Sequence, residues 1–248
     1  MRRLALSLAL SAVWFAGSAR AADDARAVVD KAIQAVGGEE ALGKFTATRW
    51  KSKGTLILGG GESPFTVDGL SQGIDKLHVA FEGDFGGNKV RGLTVVDGDR
   101  GWRKFGEMLQ PLDKESLASE KRNTYLQVVP RILLPLRGEG FALKPAPDQA
   151  IGGKPVAVIV VTGPDAKEFT LSFDKETGLL LKLEAEVLGF GGEEYTQETS
   201  FADYKEFDGV KLATKVSSLN DGERFVEQEY LEYKPAGKVE ADAFAEPK

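Results

Sequence analysis

The sequence predicts a mainly antiparallel β fold, a curved sheet or unclosed β-barrel covered by an N-terminal helix and short lid helices. Three observations carry this. Apolar residues alternate with period two over most of the chain, and glycine- or aspartate-rich turn signals interrupt them every ten to fifteen residues. One stretch, Lys114–Arg137, breaks the alternation with helical spacing and prolines. Helices inserted once within a run of hairpins must lie across the sheet or block one end of it.

In chain order, Asp23 or Asp24 is placed to cap a helix running to about Val36. Val28, Val29, Ala32, Ile33 and Val36 recur at three- and four-residue spacing, and Gly37-Gly38 supplies the stop. A short turn over Glu39–Gly43 follows. From Phe45 the period becomes two: Trp50, Leu56 and Leu58 share one face of a long strand, Arg49, Lys51 and Lys53 the other. Beyond the turn at Gly59–Pro64 comes Phe65-Thr66-Val67. Leu77, Val79 and Phe81 then alternate with Lys76, His78, Ala80 and Glu82. Lys89–Val96 and Gly101–Phe105 form a hairpin about Asp97-Gly98-Asp99-Arg100.

In the middle, Leu117, Lys121, Tyr125 and Val128 sit at helical offsets. Val128–Leu136 is apolar but interrupted twice, so two or three short helices jointed at Pro130 and Pro135 are expected. Strands then resume. Phe169, Leu171 and Phe173 form one face of one strand, and Leu179, Leu181, Leu183, Ala185 and Val187 one face of the next. The carboxyl tail beyond Pro235 reads as loosely held. With no composition break after residue 22, residues 22–248 read as a single domain with lid helices at about 114–136.

Residues 1–21 read as a cleaved signal peptide. A basic Met1-Arg2-Arg3 precedes 14 mostly apolar residues, Leu4–Gly17, and Ala19-Arg20-Ala21 fits a cleavage site. Its removal takes away Arg2, Arg3 and Arg20, leaving 29 basic against 38 acidic residues, a net charge near −9. Such a surface repels phosphate backbones, which argues against a nucleic-acid partner. A secreted chain without cysteine fits a bacterial periplasm.

Composition also narrows the chemistry. Zero cysteines exclude disulfides, thiol nucleophiles and iron–sulfur clusters, and the lone His78 excludes a multi-histidine metal site. No nucleophile elbow, P-loop or dinucleotide fingerprint is present. His78 alternates onto the polar side of its strand. Asp97-x-Asp99 resembles the start of a calcium loop but lacks the later ligands, so a hairpin with positive φ at Gly98 is the reading. A glycosidase needs two carboxylates across a groove, and no spacing selects such a pair. No catalytic residue, metal or cofactor is expected, and the protein reads as a non-enzyme.

A large apolar sheet face with few helices to cover it leaves two readings open. The side chains fill a dry core, or a cavity stays unfilled and takes an apolar ligand. At about 0.8 kcal/mol per buried methylene, a fourteen-carbon chain offers on the order of 11 kcal/mol gross, ample for carriage after ordering costs.

Several stretches resemble the LolA-like outer-membrane lipoprotein-sorting family in its broad bacterial form. They are Lys31–Leu42 as the helix-and-turn opening, Trp50–Leu58 as the first long strand, and Ile74–Val79 in the second hairpin. Val95–Trp102 matches the hairpin "v-x-D-G-x-x-x-W", and Phe173–Leu180 and Tyr204–Leu212 match the late hairpins. The likeness spans about residues 27–234. It implies an unclosed barrel holding acyl chains beneath helices that move aside for loading, with Lys114–Leu136 as most of the lid and Ala25–Val36 beside it. In the sorting carrier a strand arginine bonds to lid backbone and keeps the empty state closed; here Arg49 lies on the first long strand, but opposite Trp50.

The expectation is therefore a periplasmic, monomeric carrier or binding protein for lipoproteins, lipids or other acyl-bearing ligands, with an envelope membrane protein as a further partner. The alternative is a structural or regulatory envelope module of the same fold with a filled interior. Alternation selects Trp50, Leu56, Leu58, Leu77, Val79, Phe81, Trp102, Phe169, Leu171, Phe173, Leu179, Leu181 and Leu183 as ligand-facing. The lid adds Val128, Val129, Ile132, Leu133 and Leu136. A register error of one residue would flip a strand's whole set.

Overall fold

The computed structural model describes residues 13–189 and 192–248, with side chains in the first helix from Asp24 onward. Thirteen strands form one antiparallel sheet: β1 (Ala47–Leu58), β2 (Gly61–Gln72), β3 (Lys76–Phe85), β4 (Asn88–Asp97), β5 (Arg100–Phe105), β6 (Met108–Pro111), β7 (Ala142–Ile151), β8 (Lys154–Thr162), β9 (Glu168–Asp174), β10 (Leu180–Leu188), β11 (Glu194–Phe207), β12 (Val210–Asn220) and β13 (Glu223–Pro235). The helices are α1 (Val13–Ala35), α2 (Gly38–Gly43) and α3 (Lys114–Ile132), with a 3-10 turn at Leu134–Arg137.

The spatial order is β6-β5-β4-β3-β2-β1-β13-β12-β11-β10-β9-β8-β7. Two meanders, β1–β6 and β7–β13, are joined where β1 pairs with β13. The sheet does not close, because β6 and β7 are its two edges. Those strands are consecutive in the chain, and α3 is the link between them. Connectivity alone thus obliges α3 to travel from one edge of the sheet to the other. Each edge is protected: β6 has four residues, and β7 carries Pro145 and Pro147 and a register shift between Ala146 and Gln149.

One face of the sheet packs against the helices. Ala25, Val29, Ala32, Ile33 and Val36 from α1, Leu42 from α2 and Tyr125, Val128, Val129 and Ile132 from α3 meet Trp50, Leu77, Val96, Ile159, Phe169, Leu171, Phe173 and Leu183 in one buried cluster. A second, smaller cluster lies on the opposite face, where Leu70, Val95 and Trp102 are covered by Phe244 of the tail.

Several expectations are corrected. No cap at Asp23 or Asp24 starts the first helix, which runs from Val13 through an alanine-rich stretch with nothing to break it. The expected leader otherwise lies outside the described residues. Lys114–Ile132 is one helix rather than several: Asp113 caps it by accepting from the Ser116 N–H at 2.8 Å, and Pro130 falls in its last turn, where it forfeits one bond, to the Leu126 carbonyl, without ending the helix. The stop is at Leu133, whose φ of 51° is left-handed. In β10 a register shift between Leu180 and Lys182 moves Leu180, not Leu181, into the core.

The tail beyond Pro235 is held. The Ala236 N–H donates to the Ala47 carbonyl at 2.8 Å, and Phe244 is 4% exposed, with the Lys76 ammonium 5.8 Å from its ring centre. Phe244→Ala is expected to lower the free energy of unfolding by about 2–3 kcal/mol, below the full-core range because the cluster is small. Urea denaturation followed by tryptophan fluorescence measures it, since Trp102 lies in the same cluster.

Candidate functional site

The register sorts the sheet's side chains. Trp50 pairs with Tyr233 and Gly69, Ser52 with Tyr230, and Leu77 with Val96 and Ser71, so these share the helix-side face. The alternation read for Trp50, Leu77, Phe169, Leu171, Phe173 and Leu183 matches that face, and all six are buried there beside Val128, Val129, Ile132, Leu133 and Leu136. Leu56, Val79, Phe81, Leu179 and Leu181 are half-buried.

Two candidates lie elsewhere. Leu58, at the end of β1, is 51% exposed. Trp102 pairs with Val95 on the opposite face, beneath the tail. Its neighbour Gly101 takes the helix-side position, where an added Cβ would come 2.7 Å from Leu112 and 3.0 Å from Leu117.

One large hollow does not lie between sheet and helices. Its volume is about 810 Å³, and it lies on the opposite face over β1–β4 and β11–β13. Lys53, Thr66, Glu82, Arg91, Lys215 and Glu229 line it and stand in one cross-strand row. The row neutralises itself: Lys53 pairs with Glu229 at 3.2 Å and Arg91 with Glu82 at 2.9 Å, while Lys215 pairs with Asp203. Of the two readings, a dry core or an unfilled cavity, the helix-side face favours the first where α1 and α3 lie, since their buried side chains pack with those of the sheet in one cluster.

α3 is fastened to both arms of the sheet. On the β5 side Arg103 pairs with Glu120, and the Lys121 ammonium meets Asp99 in the β4–β5 turn at 3.0 Å. On the other arm Arg122, 5% exposed, reaches across to β9 and β10. Its Nε donates to the Glu186 carbonyl at 2.8 Å, Nη2 to the Glu168 carbonyl at 3.0 Å, and Nη1 to Asp165 at 2.9 Å and to the Tyr125 hydroxyl. Tyr125 donates onward to Asp165 at 2.8 Å. Burial and the Asp165 carboxylate push the Tyr125 phenol well above its ordinary pKa. Desolvation would raise Asp165, but hydrogen bonds from Tyr125, the Lys167 N–H and Arg122, with the Arg122 charge, hold it below the usual carboxylate value.

This clamp reverses the direction implied for a strand arginine. Arg49 is exposed on the face away from the lid, and the bonding arginine sits on the helix and grips strand carbonyls. Alternation could not find it, because its partners beyond the helix lie 43 to 64 residues away.

A second arginine, Arg131 near the end of α3, lies over the middle of the sheet. Its guanidinium carbon is 4.4 Å from the Trp50 ring centre, 5.6 Å from Tyr230 and 5.8 Å from Tyr233. Such cation–π contacts are worth roughly 0.5–2 kcal/mol each. The one sequence signal for it was a lone cation inside the apolar run Val128–Leu136.

Catalytic candidates do not assemble. His78 is half-buried on the outer face, and desolvation lowers its pKa despite its backbone hydrogen bond. Asp97 accepts from Lys76 at 2.7 Å and Arg100 at 2.8 Å, so it serves its hairpin, with Gly98 at φ 60°. Among the described residues no group of acidic or histidine side chains is placed to hold a metal.

No protein-family model matches the chain, and no curated protein matches it in sequence. Solved structures do. A LolA superfamily protein from Nitrosomonas europaea aligns with a TM-score of 0.60 at 13% identity, over 89% of this chain and 96% of its own. An outer membrane lipoprotein-sorting protein domain from Vibrio parahaemolyticus aligns with a TM-score of 0.59 at 14% identity, over 90% and 97%. A DUF1329 family protein from Desulfovibrio piger gives 0.58 at 12%, over 89% and 96%. With its open antiparallel sheet and a helix bridging the two edges, the chain has the LolA-like fold.

Proposed function

We propose that this protein is a non-enzymatic carrier or binding protein of the bacterial periplasm, taking an acyl-bearing ligand, a lipid or the lipid of an acylated protein, into the space that α3 now fills. The observation that carries the reading is α3 itself. It crosses the helix-side face of the sheet over a largely apolar bed, yet it is also fastened by a buried polar clamp at Arg122. A helix retained mainly by hydrophobic burial has no alternative partner for its apolar face. One anchored by hydrogen bonds as well as by its apolar face leaves, on withdrawal, a bed whose contacts an acyl chain can replace. The ligand contacts proposed are the buried helix-side residues, Trp50, Leu77, Phe169, Leu171, Phe173 and Leu183, with Val128, Val129 and Ile132 withdrawn on the helix. Leu58 and Trp102 are not among them. An envelope membrane protein is the proposed loading partner.

A second reading, an envelope interaction module of the same fold, is favoured by the packed state of the interior. One experiment separates the two. Delipidated protein is titrated with a fluorescent fatty acid, and saturable one-to-one binding in the micromolar range or tighter is expected. Absence of saturation at micromolar protein, with no co-purified lipid in native mass spectra, selects the module.

A further inference from the structure

Arg131 presents a problem that the carrier reading alone does not resolve. Its Nε donates to the Gln127 carbonyl at 2.6 Å, but Nη1 and Nη2 are both buried and have no hydrogen-bond partner among the described residues. A guanidinium carries five donors and a charge that is never lost. Burying four of those donors unpaired is costly, and aromatic faces compensate the charge without accepting the hydrogen bonds. The surroundings are built: Trp50 and Tyr233 are buried cross-strand neighbours, and Tyr230 and Tyr233 meet edge to face at 6.2 Å. Burial raises the Tyr233 phenol pKa, while the Arg131 charge and the nearby Thr48 and Arg131 donors work against it; the Arg131 amino groups approach that hydroxyl without completing a hydrogen bond. Arg131 also stands at the foot of α3, between Pro130, which has no N–H for the carbonyl of Leu126, and the left-handed Leu133. Withdrawal of the helix about that point opens the interior beside the two unpaired amino groups.

We propose that Arg131, walled by Trp50, Tyr230 and Tyr233, is the head-group site of the carrier, and that the ligand is an anionic amphiphile whose carboxylate or phosphate takes both Nη groups. The planar fork of a guanidinium matches two oxygens of either anion, and such charge-assisted pairs are strongest where water is excluded. The inference rests on the carrier reading, which supplies the chain its place under α3. It adds that the head is charged, and where it sits.

The test uses delipidated full-length protein and isothermal titration with dodecanoate, dodecyl phosphate and neutral dodecanol, with acetate and inorganic phosphate as chainless anions. Dodecanoate and dodecyl phosphate are expected to bind at least tenfold more tightly than dodecanol, and neither chainless anion to bind measurably. In Arg131→Met the dodecanol affinity is expected to hold while the anionic preference falls to about one. The melting temperature should change little, because relief of the unpaired buried donors offsets the loss of the aromatic contacts. Arg131→Lys is expected to retain part of the preference through charge without the fork. Equal affinity for dodecanoate and dodecanol in the native protein overturns the head-group site and leaves the carrier intact. Binding of acetate or phosphate as tightly as the amphiphiles overturns it as well. An Arg131→Met protein that melts earlier and loses all three chains alike marks Arg131 as a packing residue and overturns it too. Failure of every chain to bind native protein overturns the carrier reading, and this inference with it.

Discussion

Replacing Arg122 with methionine is expected to lower stability by about 3 kcal/mol, the low end of the range for breaking a buried ion pair. At roughly 2–4 °C per kcal/mol for a chain of this size, the melting temperature falls by about 6–12 °C. The low end applies because the Asp165 side chain is 29% exposed and recovers some hydration once its partner is gone. What persists is the loss to the Glu186 and Glu168 carbonyls. Asp165→Ala is expected to cost a similar amount, since it strands a guanidinium that is 5% exposed. The double variant should cost scarcely more than either single one, giving a coupling energy of about 2–3 kcal/mol in a double-mutant cycle. Additive costs would mean that the two side chains do not act together. The pH dependence has a definite sign. Asp165 titrates below its ordinary 3.8 in the folded state, so its contribution is complete above that value and is lost as pH falls through the lowered native one. In Arg122→Met this acid-side loss should shrink. If the whole 3 kcal/mol acts on withdrawal of α3, the open population rises by about two orders of magnitude at 1.4 kcal/mol per decade. Under the carrier reading a fatty-acid probe then loads faster into the variant. Unchanged loading together with lower stability would place the clamp outside the loading step.

The architecture was legible because an antiparallel meander is written locally. Period-two alternation, the Asp97–Arg100 hairpin and the break at Lys114 follow from residues near one another in the chain, and each appears in the structure. Errors arose where a local rule met a longer-range constraint. Pro130 suggests a joint, but a proline in a last turn forfeits one hydrogen bond while the apolar face of α3 keeps the helix whole. The shift in β10 exchanged Leu180 for Leu181, because one extra residue inverts alternation beyond it. Trp102 has the same origin: a tryptophan in a hairpin suggests the main core, and only the returning tail, some 140 residues later, gives the opposite face a core of its own. The polar features of the site were least legible. Arg122 and Asp165 are joined across 43 residues, and Arg131 meets aromatics from both ends of the chain. The second of these meetings depends on β1 pairing with β13, a long-range contact that composition and periodicity do not encode.

That pairing also sets the second large expected effect. Trp50→Ala should cost about 3–5 kcal/mol, as for other buried tryptophans, because the indole fills the centre of the sheet beneath Arg131. The ring lies flat only because its cross-strand partner is Gly69. A Cβ built there would sit 2.1 Å from the indole, closer than any packed carbon allows. Gly69→Ala therefore forces the ring toward the guanidinium and is expected to cost about 1–3 kcal/mol by overpacking. The two effects oppose one another in space, so they should not add. With the indole already gone, the new methyl enters vacated volume, and Gly69→Ala should become nearly neutral or slightly stabilising. Denaturant titration of the two single variants and the double variant measures this directly. A Gly69→Ala cost that is the same with and without Trp50 would show that the strand backbone, not the aromatic stack, requires glycine, and that Trp50 is free to move as α3 does.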